Sequence, residues 1–401
     1  MTASAATSRF SPELRASLFH FTVYTTNGVA AAYFGIWLRD HNMSTDQIGI
    51  INAAPVLALL IINLFVGRIA DRASDWRQAI VGMALIAGAV PLGVFFANAF
   101  WGILIVWTLF TVFTGSIAPV IDAATLRLTE RNGSNFGQIR GWGTLGSMVG
   151  TAVTGLVVAW FGALAFLPTL LGFSLLRGLV SLQLPRFRAP QRASTLAGTA
   201  VRAGRLREVL KPWFVLPLLA FALVQATHAI LQAFAALVWK DQGISPALIG
   251  PLVAVGTASE AAMMFAWRRF GRKVSARQMV LASAIAATLR WALVALSPPL
   301  PVLFLLQMLH SVTFAIGYLG MVHFIANWTS EEIAAEAQGF SFVLQQGVSV
   351  VSLVAFGWLM GMFGAKAFFA ASLLALVGAG CVLLSLRLRP AHDSGTVSRA
   401  G

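Results

Sequence analysis

Of the 401 residues, 58% are hydrophobic and only 10% charged, with a formal net charge of +14 and a mean hydropathy of +0.80. An ordinary soluble domain needs roughly 25% charged residues to wet its surface, so this exterior has to face hydrocarbon and a soluble globule is excluded. The basicity does not describe a nucleic-acid surface either, because most of the 28 Lys and Arg gather in a few short polar gaps, the mark of cytoplasmic loops in a membrane protein. The single cysteine, Cys381, leaves no disulfide framework and no cysteine-based metal site. It reads as apolar filling in the last span.

The N-terminus, MTASAATSRFSPELR, has no short apolar region ending in a small-residue cleavage site, and the first apolar run is long enough to remain as a span. In chain order, apolar runs of roughly 20 residues, enough to cross about 30 Å of hydrocarbon, fall at 14–38, 47–67, 79–97, 100–126, 139–160 and 163–184. A second series falls at 213–239, 247–267, 278–296, 301–327, 340–362 and 366–386. The expectation is an all-α membrane protein of twelve transmembrane helices in two pseudo-symmetric six-helix bundles.

The basic gaps are GRIADRASDWR (67–77), RLTERNGSNFGQIR (127–140), residues 185–211 and RRFGRKVSAR (268–277). All follow even-numbered spans, so they share a side, and the positive-inside rule places both termini in the cytoplasm. The expected organisation is a cytoplasmic tail (1–13), an N-terminal bundle (14–184), a cytoplasmic linker (185–211), a C-terminal bundle (212–386) and a second cytoplasmic tail (387–401). The linker is rich in Arg, Ala and Pro and reads as solvated chain. Val201, Leu206, Val209 and Leu210, alternating with Arg202, Arg205 and Arg207, leave a short interfacial helix open there. The halves echo each other: Ser44-Thr45-Asp46-Gln47-Ile48-Gly49 opens the second span, and Ser245-Pro246-Ala247-Leu248-Ile249-Gly250 opens the eighth.

Polar residues inside spans are costly and usually face a cavity or a partner. Helical spacing sorts them into stripes. Span one carries His20, Tyr24 and Asn27, span two Asn52 and Asn63, and span four Thr111, Gly115, Asp122 and Thr125. Span seven carries Gln225, His228 and Gln232, span ten Gln307, His310 and Gly317, and span eleven Gln345, Ser349 and Ser352. The ionisable residues are Asp122, Arg177, Glu260 and Arg290, with Arg140 at the start of span five. Arg177 reads as snorkelling to the cytoplasmic face, and Arg290 either faces a cavity or snorkels outward. Asp122 with Arg140 reads as a substrate site or as a structural ion pair. Gly141, Gly146 and Gly150 read as sites of close helix packing.

The segment 67–77 resembles the major facilitator superfamily signature between spans two and three. Gly67, Asp71, Arg72 and Arg77 match it, whereas Ser74 and Trp76 depart from it. The resemblance implies a conformational latch formed by Gly67, Asp71, Arg72 and Arg77. The segments FTVYTTNGVAAAYFGIWLRDHNMSTDQIG and FGQIRGWGTLGSMVG resemble one branch of that superfamily, the 3-phenylpropionic acid transporter-like permeases, distantly similar to lactose permease. Asp122, Arg140, Glu260, Arg290 and His310 resemble the charged constellation of lactose permease. This implies that the span-four acid and span-five arginine bind substrate, while Glu260, Arg290 and His310 link substrate to the proton. Two departures weaken a lactose-like substrate: Thr313 replaces the acidic proton carrier one turn after His310, and Ser147 lies where the sugar platform would be.

These readings together predict a secondary transporter in the bacterial inner membrane that works by alternating access, with proton-coupled symport of an aromatic or other organic carboxylate. Tyr24, Asn27, Asp122, Arg140, Gln225, His228, Arg290 and Gln345 are the expected substrate-binding residues, and Glu260, Asp122 and His310 the expected proton-coupling residues. Arginines stay charged and grip carboxylates with two parallel bonds, and an acid inside the membrane is a group that can load and release a proton. Sugar or nucleoside symport and drug efflux remain alternatives, the last disfavoured by Asp122 in span four and the lack of proline in span five. A membrane enzyme is disfavoured because DxD and His-rich metal spacings are missing, and a sensor because the tails are short. No cofactor and no metal are expected. The expected partners are a small-molecule substrate, protons and the lipid bilayer, with no nucleic acid, and the protein is expected to act as a monomer.

Overall fold

The computed structural model describes residues 10–72, 75–97, 99–187, 210–270, 274–329 and 331–388. Its long helices are α1 (Pro12–Asp40), α2 (Thr45–Arg72), α3 (Trp76–Ala89, continued by a 3-10 segment Val90–Phe96), α4 (Phe100–Asn132), α5 (Phe136–Phe161) and α6 (Phe166–Ser181). The second series is α7 (Pro212–Asp241), α8 (Pro246–Phe270), α9 (Ala276–Ala295), α10 (Leu300–Trp328), α11 (Glu331–Phe363) and α12 (Phe368–Leu388). α10 contains a π-helical turn at Ser311–Ile316. Among the described residues, ten stretches are long and apolar enough to cross a membrane, one of which holds most of α11 and all of α12. α1 is not among the ten, because His20, Thr22, Tyr24, Thr25, Thr26 and Asn27 dilute its apolar surface. Large apolar side chains such as Leu179, Leu289 and Leu373 point outward, and Trp101, Trp160 and Phe161 are exposed near helix ends. An apolar exterior with aromatic residues at its rims suits a bilayer, not water.

The chain forms two compact units, one of residues 1–37 and 58–192, the other of 38–57 and 193–401. In the first, α3 packs on α4 and α6. Glycines let α5 touch α1: a Cβ on Gly28, Gly146 or Gly150 would lie 2.2 Å from the carbonyl oxygen of Ser147, Phe21 or Thr25 respectively. Thr151 then bonds across to the Gly28 carbonyl at 3.1 Å. Gly141, expected in this contact, faces open space, and Gly143 takes the close position instead. In the second unit α12 packs against α7 and α9, α11 against α7, and the π turn of α10 against α8 and α9.

Leu38–Leu57 groups with the second unit. Local contacts explain it. Arg39 bonds both carboxylate oxygens of Asp241 at 2.7 and 2.6 Å, and Lys240 reaches Asp40 at 3.1 Å. A Cβ on Gly49 would lie 2.6 Å from the Leu353 carbonyl, and one on Gly357 2.6 Å from that of Thr45. The ion pairs are exposed and contribute about 0–1 kcal/mol each, so the glycine contact is the tighter constraint.

The duplication extends further than the Ser/Ile-Gly echo. α1 and α7 both end on a left-handed residue, Asn42 (φ 58) and Gly243 (φ 81). Each is followed by a bond reaching back to the helix, Met43 N–H to the Leu38 carbonyl and Ile244 N–H to that of Trp239, the closing bond of a Schellman turn. α3 and α9 start alike. Asp75 caps α3 by accepting from Arg77 N–H, and Ser275 caps α9 in a capping box with Gln278. Arg77 donates to the carbonyls of Leu184 and Leu182, just past α6. Arg277 donates to Ser385 on α12 and sits among the rings of Trp213, Phe324 and Trp328. In each half an arginine at the start of the third helix ties it to the end of the sixth.

Three further expectations meet the structure here. The segment 67–77 is largely helical, since α2 runs through Arg72, and the side chains of Gly67, Asp71 and Arg72 lie outside the described residues. The linker and its interfacial helix also fall largely outside them. Arg177 does not snorkel. It is fully buried and donates to Thr114 of α4 at 3.1 Å, because α4 offers a hydroxyl and the Phe110 ring face 5.8 Å away.

The glycine contact gives a clean prediction. Gly150→Ala should lower thermal stability in detergent by about 1–3 kcal/mol, the usual cost of overpacking. Gly172→Ala, whose Cβ meets nothing within 4 Å, should be neutral or stabilising by up to about 1 kcal/mol. Equal effects from the two would contradict the close packing of α1 and α5.

Candidate functional site

Among the described residues, each unit gathers a cluster of polar and ionisable side chains from the sequence-predicted site. In the first unit it is built from α1, α4 and α5. His20 and Tyr24 lie one turn apart on α1 with parallel rings at 6.5 Å, and Asp122 and Thr125 share a face of α4. His20 Nε2 lies 3.1 Å from Thr125 Oγ1, and its Nδ1 lies 3.8 Å from Asp122 Oδ1. Arg140, in the first turns of α5, places Nε 3.4 Å from the same oxygen and its guanidinium carbon 4.1 Å above the Tyr24 ring. Both charged side chains are about one-third exposed, 31% and 36%.

The Arg140–Asp122 pair is held by charge more than by hydrogen bonding, since Asp122 Oδ1 has no hydrogen-bond partner of good geometry. At an effective dielectric near 20 the bare attraction over that distance is about 5 kcal/mol, before desolvation is subtracted. A guanidinium has five N–H donors in a fork, and this contact occupies one edge. The arrangement is a partly open cation beside an aromatic face, with an acid in reach. Gly143 makes it possible: a Cβ there would lie 2.6 Å from Tyr24 Cδ2 and 3.0 Å from Arg140 Nη1. Sequence reasoning missed Gly143, although a glycine one turn after a membrane arginine is a readable signal. Asn27 is half-buried one turn beyond Tyr24.

The cluster of the second unit draws on four helices. His228 of α7 lies 2.9 Å from the Val224 carbonyl through Nδ1. A carbonyl only accepts, so Nδ1 carries the proton and Nε2 of the neutral ring is an acceptor. Thr313, inside the π turn of α10, sits 2.9 Å from that Nε2 and donates its hydroxyl proton there. The same oxygen accepts from Arg290 Nη1 of α9 at 3.0 Å, while Arg290 Nη2 donates to Gln307 Oε1 at 2.9 Å. The guanidinium also covers the Trp291 ring at 4.5 Å, and Trp291 is anchored by donating to Thr227 at 2.8 Å. π-helical turns recur at functional sites. Here the Thr313 carbonyl, in the widened turn, accepts from Ser283 of α9 at 2.6 Å.

Glu260 of α8 and His310 of α10 form the cluster's acid pair, with Oε2 and Nε2 3.2 Å apart and side chains 24% and 18% exposed. The His310 ring meets that of His228 edge-on at 4.9 Å. The structure brings Glu260, His310, Arg290 and His228 into one assembly. Arg290 is completely buried, which rules out outward snorkelling, and its bonds go to neutral groups. His228 and Arg290, expected among the substrate-binding residues, sit beside the expected proton-coupling pair. Gln225 is half-buried on α7, and Gln345 donates to Ser341 of its own helix at 3.1 Å; neither joins the cluster through a hydrogen bond. The residue missed was Thr313, which sequence reasoning registered only as a departure from an acid.

Comparison with known proteins is consistent with this geometry. The MFS_1 like family matches residues 14–372. A probable 3-phenylpropionic acid transporter of Escherichia coli is 27% identical over 366 residues, covering 90% of this chain and 94% of that protein. A maltose permease of Geobacillus stearothermophilus is 29% identical over 292 residues, covering 71% of each chain. Among solved structures, the nucleoside transporter NupG superposes with a TM-score of 0.82 at 17% identity, over 95% of this chain and all of that one. A D-xylose-proton symporter superposes with a TM-score of 0.68 at 16% identity, over 94% and 97%. Those likenesses establish the fold, an all-α major facilitator architecture, and the family match covers most of the chain. The protein is a multi-pass membrane transporter of the major facilitator type and belongs to the MFS_1 like family.

Proposed function

We propose that this transporter carries a small organic carboxylate, an aromatic one foremost, into the cell together with a proton, by alternating access in the bacterial inner membrane with both termini cytoplasmic. The observation that carries the reading is Arg140, partly open, lying on the Tyr24 ring with Asp122 at its other edge. Arg140 supplies the donors that a carboxylate takes in pairs, and Tyr24 offers an aromatic surface to an aromatic substrate. Asp122 opposes an incoming anion unless it is neutralised, which links substrate binding to a proton. The Glu260–His310 pair is the proton site of the second unit, and Arg290 and His228 stand behind it. Likeness to a probable 3-phenylpropionic acid transporter supports 3-phenylpropionate as the first substrate to try. A sugar is the second reading, supported by the identity with a maltose permease. The chain acts as a monomer, without a cofactor or a metal, and does no covalent chemistry.

The test is uptake of labelled 3-phenylpropionate into proteoliposomes, with and without an imposed inward proton gradient. Accumulation should need the gradient and be lost in Glu260→Gln. Gradient-driven uptake that survives this substitution would move the proton to Asp122 or a histidine. No uptake by folded protein, with maltose taken up instead, would replace the substrate class.

Arg140→Lys keeps the charge and loses the planar fork. The KM for the carboxylate should rise about 10- to 100-fold, the worth of one or two charge-assisted bonds. An unchanged KM would take Arg140 out of the substrate site.

A further inference from the structure

We propose that Thr313 is a positioning residue whose single hydroxyl makes the placement of Arg290 depend on the protonation of His228. The proposal rests on proton-coupled carboxylate transport for its meaning in the cell, but its physical content stands on the geometry of the second unit.

A hydroxyl has one proton to give and two lone pairs. In the present arrangement the Val224 carbonyl fixes the proton of neutral His228 on Nδ1, the Thr313 proton is committed to Nε2, and a Thr313 lone pair takes Arg290 Nη1–H. All three groups are fully buried or nearly so. When His228 gains a proton at Nε2, that nitrogen becomes a donor. The Thr313 hydroxyl loses its acceptor and has to turn its proton elsewhere. Two cations, imidazolium and guanidinium, would then direct N–H groups at one oxygen. The two lone pairs can accept both, so the state with protonated His228 and Arg290 still bonded to Thr313 is disfavoured by like charge and by the lost acceptor for the hydroxyl proton.

Arg290 is the partner able to leave. Its remaining hydrogen bond is to a neutral amide, Gln307, and its Nε has no hydrogen-bond partner. His228 is held from both ends. The ionisable groups facing it are His310, ring to ring at 4.9 Å, Arg290 through Thr313, and Glu260 behind His310. α11 and α12, also packed on α7, carry their acids and bases only near their ends, at Glu331, Glu332, Glu336 and Arg387. A proton arriving through Glu260 and His310 thus releases a guanidinium that is otherwise locked, and an anion that draws Arg290 away in turn favours the protonated form of His228. Valine at 313 would have the same shape and no such exchange.

The test needs no substrate. In protein labelled with 15N-histidine, the His228 resonance, assigned by its loss in His228→Asn, is titrated in four backgrounds: wild type, Arg290→Gln, Thr313→Val and the double variant. Coupling through the hydroxyl predicts that Arg290→Gln moves the His228 midpoint by about one pH unit or more when Thr313 is present, and by less than half as much when it is Val. Equal shifts in both backgrounds, or none in either, would overturn the proposal. Should Arg290→Gln fail to fold, the neutral Arg290→Met takes its place, and Thr313→Ser has to preserve the wild-type shift. A transport readout runs alongside: the pH dependence of the KM for 3-phenylpropionate should flatten in Thr313→Val and return in Thr313→Ser. A wild type that takes up no 3-phenylpropionate counts against the proposed substrate, while the histidine titration still decides the role of Thr313.

Discussion

A guanidinium buried inside a hydrocarbon-clad bundle has to be held by polar groups, because leaving it bare costs several kcal/mol. Arg290 meets that demand without a carboxylate. A hydroxyl, an amide oxygen and an indole face surround it, and the hydroxyl and the indole are each held in turn by a side chain of α7. The requirement organises α7, α9 and α10 around one point. It explains why Thr313 sits in a π turn and why Trp291 needs its bond to Thr227. It also gives the ring of His228 a defined tautomer.

The first unit answers the same demand differently. Arg140 has an acid, Asp122, at 3.4 Å and an aromatic ring beneath it, and it keeps about a third of its surface open. One unit therefore offers an accessible cation suited to binding, while the other locks its cation away behind a protonatable pair, Glu260 and His310. That division of labour suits the proposed uptake of an anion together with a proton. It arises although the two halves are built on the same plan, visible in the matching left-handed residues Asn42 and Gly243 and the matching arginines Arg77 and Arg277.

Much of this was legible in the sequence, because a polar residue on an apolar helix stands out and a 3.6-residue period says which of them share a face. His20 with Tyr24 was readable on that ground, whereas the grouping of Glu260 with His310 and Arg290, on three separate helices, came from the resemblance to lactose permease. Other features were hidden for physical reasons. Thr313 looked unremarkable because a threonine is cheap in a membrane helix, and its role comes from a π turn that no local signal announces. Gly143 was passed over for Gly141 because close approach depends on which face of α5 meets α1. Arg177 read as a snorkelling residue, since nothing in its own helix reveals the hydroxyl waiting on α4. The grouping of Leu38–Leu57 with the second unit depends on pairs such as Arg39 with Asp241, more than 200 residues apart, and periodicity carries no information about contacts so remote.

Movement of an anion and a proton together in one direction is tested most directly with a pH electrode. Lightly buffered proteoliposomes containing the wild-type protein receive a pulse of 3-phenylpropionate outside while external pH is followed. Symport predicts alkalinisation that starts with the pulse and disappears when a protonophore dissipates the coupling. Acidification, or a flat trace from vesicles that nonetheless accumulate the labelled acid, would contradict it.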